Sequence, residues 1–118
     1  MATIDTDRVD KELRAMIKTS NVIKAQLRSA LEKLEKDPSE FERLKYVPPS
    51  LSAFKNLDSI RKIKLISKKH DFRIVFAHWK FESGAEHSDL LIAFPRKAGY
   101  DIDWDWIEQQ LAESEDWF

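Results

Sequence analysis

Between Ile60 and Trp79 the chain reads IRKIKLISKKHDFRIVFAHW, two runs of alternating apolar residues on either side of the polar break Ser67-Lys68-Lys69-His70. Alternation around a polar break predicts an antiparallel hairpin. The parity of the turn decides its faces. With an even turn, Lys64 lies opposite Arg73; one face collects Ile63, Leu65, Phe72, Ile74 and Phe76, and the other collects Lys62, Lys64 and Arg73 with Val75. An odd turn mixes the two sets. Burying large apolar side chains at roughly 1.5–3 kcal/mol each outweighs the few tenths to about 1 kcal/mol that facing cations cost. The even register is therefore expected, with one core face and one cationic face.

Ahead of the hairpin, Met1 to Ile4 offers at most a ragged edge strand. After Asp5 or Thr6, either a suitable N-cap, Val9, Leu13, Met16 and Ile17 recur at helical spacing. Thr19-Ser20-Asn21 interrupts this helix, and Val22, Ile23, Leu27, Ala30, Leu31 and Leu34 lay down a second apolar stripe. Asp37-Pro38 ends the second helix, because a residue before proline is pushed out of the helical region. A short third helix is expected over Ser39 to Lys45, and the stretch from Tyr46 to Asp58, with Pro48-Pro49, reads as an ordered loop.

Beyond the hairpin, Lys80 to Ser88 contains Gly84 and reads as a turn. Leu90-Leu91-Ile92-Ala93-Phe94 is a continuous apolar run, as expected of a central strand buried on both faces. Leu31 and Ile92 are expected in the core. Pro95 closes the strand, Arg96 to Tyr100 forms a basic loop, and Asp103 is placed to cap a last helix with Trp106, Ile107, Gln110 and Leu111 on one face. The expected fold class is α+β: an N-terminal helical hairpin packed on a small antiparallel sheet of three to four strands, with a C-terminal helix, in a single domain over 1–118.

A chain of 118 residues suits one domain with its own core. It is 42% hydrophobic and 35% charged, as soluble globular proteins are, and has nothing near the roughly 18 consecutive apolar residues of a membrane span. The opening MATIDTDRVD lacks the basic and apolar regions of a signal peptide, so a cytoplasmic location is expected. The absence of cysteine excludes disulfides, thiol nucleophiles and thiolate metal sites. His70 falls in a turn, and His78 and His87 share no ligand spacing with each other or with a carboxylate, so no metal or cofactor is expected. With two glycines there is no glycine-rich phosphate loop. A net charge of -1 means that any nucleic-acid binding must rest on a local patch.

Three segments, KAQLRSALEKLEKDP, RKIKLISKKHDFRIVFA and DLLIAFPRKAGY, are similar to the second helix, the central hairpin, and the last strand with its active-site loop in one family. The chain resembles the RelE/ParE-type toxin superfamily of bacterial toxin–antitoxin systems from about Asp7 to Tyr100. For a RelE-like mRNA interferase the resemblance implies a metal-independent endoribonuclease that cuts mRNA on the ribosome, inhibits translation, and is neutralised by an antitoxin protein. It places Lys62, Lys64, Arg73, Arg96 and Tyr100 on the family's catalytic positions.

Those residue types suit the chemistry. Cleavage by the RNA's own 2′-hydroxyl needs a base, cationic stabilisation of the phosphorane, and an acid for the departing 5′-oxygen. Clustered cations disfavour a protonated lysine, making Lys62 or Lys64 the candidate base. Arg73 and Arg96 can fork onto phosphate oxygens, both from outside the core. Tyr100 can stack on a base or position the 2′-hydroxyl. Each has a structural alternative: alternating lysines as a solvated strand face, Arg73 paired with Asp71 or a tail carboxylate, Arg96 flanking a proline, Tyr100 as a core tyrosine with a wet hydroxyl. Trp104, Trp106, Trp117 and Phe118 crowd the C-terminus and offer a protein contact, because a terminal helix has one face to bury. The competing reading is a non-catalytic protein of the same fold, with its acidic, aromatic C-terminus folded over Lys62, Lys64 and Arg73 or holding a partner.

Overall fold

Across the hairpin Ile63 pairs with Ile74, Lys64 with Arg73 and Leu65 with Phe72, which is the even register. The computed structural model describes residues 2–116. In chain order they form β1 (Thr3–Asp5), a 3-10 turn (Asp7–Val9), α1 (Asp10–Thr19), α2 (Asn21–Lys36), β2 (Glu42–Arg43), β3 (Leu57–Ile66), β4 (Asp71–Lys80), β5 (Glu86–Pro95) and α3 (Trp104–Asp116). The class is α+β. The sheet has five strands in the order β1-β5-β4-β3-β2, more than expected, and it is mixed because β1 runs parallel to β5.

Ser20 separates the two N-terminal helices: its extended backbone breaks the first, and its hydroxyl accepts the Val22 N–H to start the second. Thr6, proposed as the first cap, instead donates its hydroxyl to the Asp10 carboxylate. The helix expected over 39–45 is replaced by a 3-10 turn (Pro38–Glu40) and β2. Its carbonyls are claimed elsewhere, for Arg61 Nη1 donates to Ser39 O at 3.2 Å and to Phe41 O at 2.6 Å, while the Phe41 ring packs edge-on against Phe76.

The helical hairpin covers one face of the sheet. Leu13, Met16, Ile23, Leu27, Ala30 and Leu34 meet Ile63, Leu65, Phe72, Ile74, Phe76 and Leu90 there. Contrary to the single core face expected, the opposite face also carries a core. Ile60, Val75, Ala77, Trp79 and Leu91 pack with Leu51 of the 46–56 loop and with Ile107 and Leu111 of α3, leaving only the turn end of that face to Lys62, Lys64 and Arg73. Burial on both faces falls on β4, where Phe72 through Trp79 are all buried, so β4 and not the 90–94 strand is central.

The apolar run 90–94 has a second cause. Val75 pairs with Ile92 but Phe76 pairs with Leu90, so Leu91 is the extra residue of a bulge and turns into the second core. The turn after β4 is shorter than expected, from Phe81 to Ala85, with Gly84 at φ 89°, where a side chain would be strained. Leu31 and Ile92 are half-buried at the edges of the two cores; the fully buried position on that turn of α2 is Leu34. On α3 the inward face is Ile107, Leu111 and Ser114, and Trp106 points out.

A buried aspartate fastens the second layer. Asp89 on β5 accepts Trp79 Nε1–H at 2.8 Å, lies 2.9 Å from His87 Nε2 and 3.8 Å from Arg8 Nη1, and accepts from Ser114. Arg8 continues to Gln110 and Ser114, tying the N-terminal turn to α3. Burial alone would raise the Asp89 pKa; hydrogen bonding and charge from His87, then the Ser114 and Trp79 hydrogen bonds, outweigh it and hold the carboxyl below its ordinary value.

Two outcomes are expected. Leu34→Ala should lose about 2–5 kcal/mol in denaturant melts, and Leu31→Ala only about 1 kcal/mol. Because the Asp89 pKa is lowered, its stabilisation is complete above the ordinary aspartate value of 3.8 and is lost as pH falls through and below it. The stability gap between the wild-type chain and Asp89→Asn should therefore narrow between pH 7 and pH 3, read from urea midpoints.

Candidate functional site

A cleft of about 330 Å³ opens on the sheet face away from the helical hairpin, lined by Leu44, Lys45, Tyr46, Lys62, Arg96, Tyr100, Ile102 and Trp104. Its parts come from four places in the chain. Lys62 projects from β3, Leu44 to Tyr46 follow β2, Arg96 opens the 3-10 turn (Arg96–Ala98) after β5, and Tyr100 to Trp104 lead into α3. Gly99 makes the bend, for its φ of 82° is left-handed and sends Tyr100 back over the sheet. Asp103 accepts the Trp106 N–H and caps α3, as expected, fixing where Trp104 emerges.

Three of the expected site residues meet here. Lys62 Nζ lies 5.5 Å and the Arg96 guanidinium carbon 5.4 Å from the centre of the Tyr100 ring, which also packs edge-on against Phe94 at 5.2 Å. Both cations are within cation–π range. Lys64 stands just outside the lining and is joined to Lys62 by one carboxylate: Glu42 Oε2 is 3.0 Å from Lys64 Nζ and 3.7 Å from Lys62 Nζ. The Lys64 hydrogen bond first, then the Lys62 charge, hold the Glu42 carboxyl below the usual range. The cluster is thus a mixed one, with a carboxylate oxygen resting where two ammoniums would otherwise hold an oxygen of a bound anion.

Arg73 departs from expectation. It is buried, shares the face of Lys62 and Lys64, and lies outside the cleft lining. Its Nη1 bonds the Asp71 carboxylate and, at 3.3 Å, the Phe72 carbonyl, while Nε has no hydrogen-bond partner among the described residues. The central position of β4 explains this: β3 and β5 flank it, so even its cationic position is walled in. Among the described residues, the carboxylates that reach Lys62, Lys64 and Arg73 are Glu42 and Asp71.

The histidines also differ from their sequence reading. His70 does sit in the turn, its ring parallel to Phe72. His78 lies buried between Asp58 at 3.3 Å and Glu86 at 2.9 Å, carboxylates that no local spacing reveals, and His87 meets Asp89 two residues along the same strand, so both histidines contact carboxylates. Among the described residues no group of three or more His, Asp or Glu side chains is arranged to hold a metal ion, and no helix is long and apolar enough to cross a membrane.

Sequence reasoning missed Glu42, whose segment was read as helical, and Tyr46, an aromatic between Lys45 and a proline pair. Tyr46 is 64% exposed, and its ring meets Trp104 at 6.3 Å in a T-shaped contact. Trp106 is exposed as well, while Trp117 and Phe118 lie outside the described residues. Comparison with protein-family models, curated proteins and solved structures finds no match to this chain.

Chemically, the cleft offers cations for an oxyanion, a phenol between them, and aromatic surface beside them. Glu42 competes with any anion that enters. Glu42→Gln should therefore bind tripolyphosphate more tightly, by up to about five-fold in calorimetry, because the anion no longer competes with an exposed ion pair. The denaturant midpoint should stay close to that of the wild-type chain.

Proposed function

We propose that this protein is a RelE-like endoribonuclease, the toxin component of a toxin–antitoxin system, which cleaves mRNA on the ribosome without a metal ion. The observation that carries this reading is the convergence of Lys62, Arg96 and Tyr100 in one cleft with Lys64 beside it, from segments of the chain that are distant in sequence. A phosphodiester seated there places its non-bridging oxygens toward Arg96 and Lys64, where charge develops in the phosphorane. Lys62 is the candidate base that takes the 2′-hydroxyl proton as the 2′-oxygen bonds to phosphorus; the bond from phosphorus to the 5′-oxygen breaks, the departing oxygen takes a proton from water, and Tyr100 helps to position the 2′-hydroxyl. Arg73 acts from behind, fixing Asp71 and the strand, so its role is structural. The antitoxin would cover the cleft with a helix or an extended segment carrying carboxylates that replace Glu42 and Asp71 as partners.

One observation favours the second reading, a non-catalytic protein of this fold that binds a protein partner through the cleft: Glu42 and Asp71 already pair with Lys62, Lys64 and Arg73. The two readings separate in one assay. Purified protein is added to translating ribosomes and the mRNA ends are mapped. The first reading expects cuts within coding regions, slowed about 10²–10³-fold by Arg96→Ala, as for loss of one oxyanion-stabilising donor, with unchanged melting because Arg96 is exposed. Intact mRNA with the wild-type protein overturns it. Arg73→Ala is a poor test, because removing a buried, bonded guanidinium perturbs folding too.

A further inference from the structure

Beside its cations the cleft has a wall that the cleavage chemistry leaves unused. Leu44, Tyr46, Ile102 and Trp104 line its apolar side. Tyr46 and Trp104 come from separately anchored segments. The Leu44 N–H bonds the Ile60 carbonyl just before Tyr46, Pro48-Pro49 follows it, and Trp104 is the first residue of the capped helix α3. Tyr46 keeps 64% of its surface exposed although its ring meets Trp104. Two rings held by fixed backbone, one of them open to solvent, next to Lys62 and Arg96, form a surface that is aromatic at one end and cationic at the other.

That combination matches an unpaired nucleobase joined to a phosphate. Bases present π-faces to aromatic side chains, and their phosphates find the adjacent cations. Tyr100, the residue expected to stack on a base, is already engaged by Lys62, Arg96 and Phe94. We infer that Tyr46 and Trp104 form a base-stacking subsite that takes the nucleobase next to the phosphate seated at Arg96 and Lys64. This rests on the reading of the cleft as an RNA site and names the part of the RNA that the aromatic wall recognises. It makes single-stranded segments the substrate, since a base inside a duplex has no free face.

The test compares two fluorescently labelled ligands with the same number of phosphates, an adenine oligoribonucleotide and its abasic counterpart. They are titrated against the wild-type protein, Tyr46→Ala, Tyr46→Phe and Arg96→Ala. The stacking subsite expects tighter binding of the base-bearing oligomer, a loss of about five-fold or more for that ligand alone in Tyr46→Ala, and retention in Tyr46→Phe. Arg96→Ala should weaken both ligands. Circular dichroism of Tyr46→Ala should match the wild type, because this ring is mostly exposed. If the wild-type protein binds both oligomers equally, or Tyr46→Ala weakens both alike, the stacking subsite is wrong and the RNA site stands. If the wild-type protein binds neither, the RNA site falls and the subsite with it.

Discussion

The register of β3 against β4 is the constraint on which the rest of the molecule depends. Both faces of this hairpin are covered, one by α1 and α2 and the other by α3 and the 46–56 loop. A slip of one residue would exchange the faces of every side chain on one strand. Ile63 and Leu65 would leave the helical layer, and Lys62 and Lys64 would be driven into it. The cost would be several buried apolar side chains at roughly 1.5–3 kcal/mol each, plus uncompensated buried charge. The same register sets Lys62 and Lys64 on one surface, so the cationic patch is a by-product of core specification at the turn end of the sheet.

Local irregularities then refine what the register permits. The bulge at Leu91 lets β5 turn two successive residues, Leu91 and Ile92, into the second core while Leu90 and Ala93 stay with the first. A second irregularity, between Leu57 and Ser59, frees Asp58 to reach Arg61 and His78. Buried polar groups occur where the layers must be tied: Arg61 bonds the backbone of the β2 segment, and Asp89 joins β4, β5, α3 and the N-terminal turn. Such groups are costly unless paired, and each of these has several partners.

Much of this was legible in the alternation and helical spacing of the chain. The hairpin register, both N-terminal helices, the Asp37-Pro38 stop and the Asp103 cap follow from local rules, and the structure has them. The misses share a cause: each depended on a partner distant in sequence. Ser39 to Lys45 has helical composition, but Arg61 takes its carbonyls. Arg73 alternates like a surface cation, yet it stands on the strand that two neighbours enclose. Of the five residues that the resemblance singles out, Lys62, Arg96 and Tyr100 line one cleft, and Lys64 and Arg73 do not. Glu42 and Tyr46 were invisible, because a two-residue strand and an exposed loop aromatic leave no periodic signal.

The charge pattern bears on what such a cleft can select. A phosphate that displaces Glu42 from Lys62 and Lys64 exchanges one anion for another, so those lysines add little net affinity. Arg96 pairs with no carboxylate among the described residues, and its contact with phosphate is an added interaction. Two of the aspartates after Tyr100 have local work: Asp103 caps α3, and Asp105 lies in its first turn, where the helix dipole favours an anion. With Lys62 and Lys64 already paired to Glu42, binding should depend less steeply on salt than the roughly 0.7 logarithmic units per neutralised phosphate of a single strand with an unpaired cation at each contact. Discrimination must then come from the part of the cleft that carries no charge. On the proposed reading the aromatic wall at Tyr46 and Trp104 is that part, and it would favour ligands that bring a planar ring along with their phosphate.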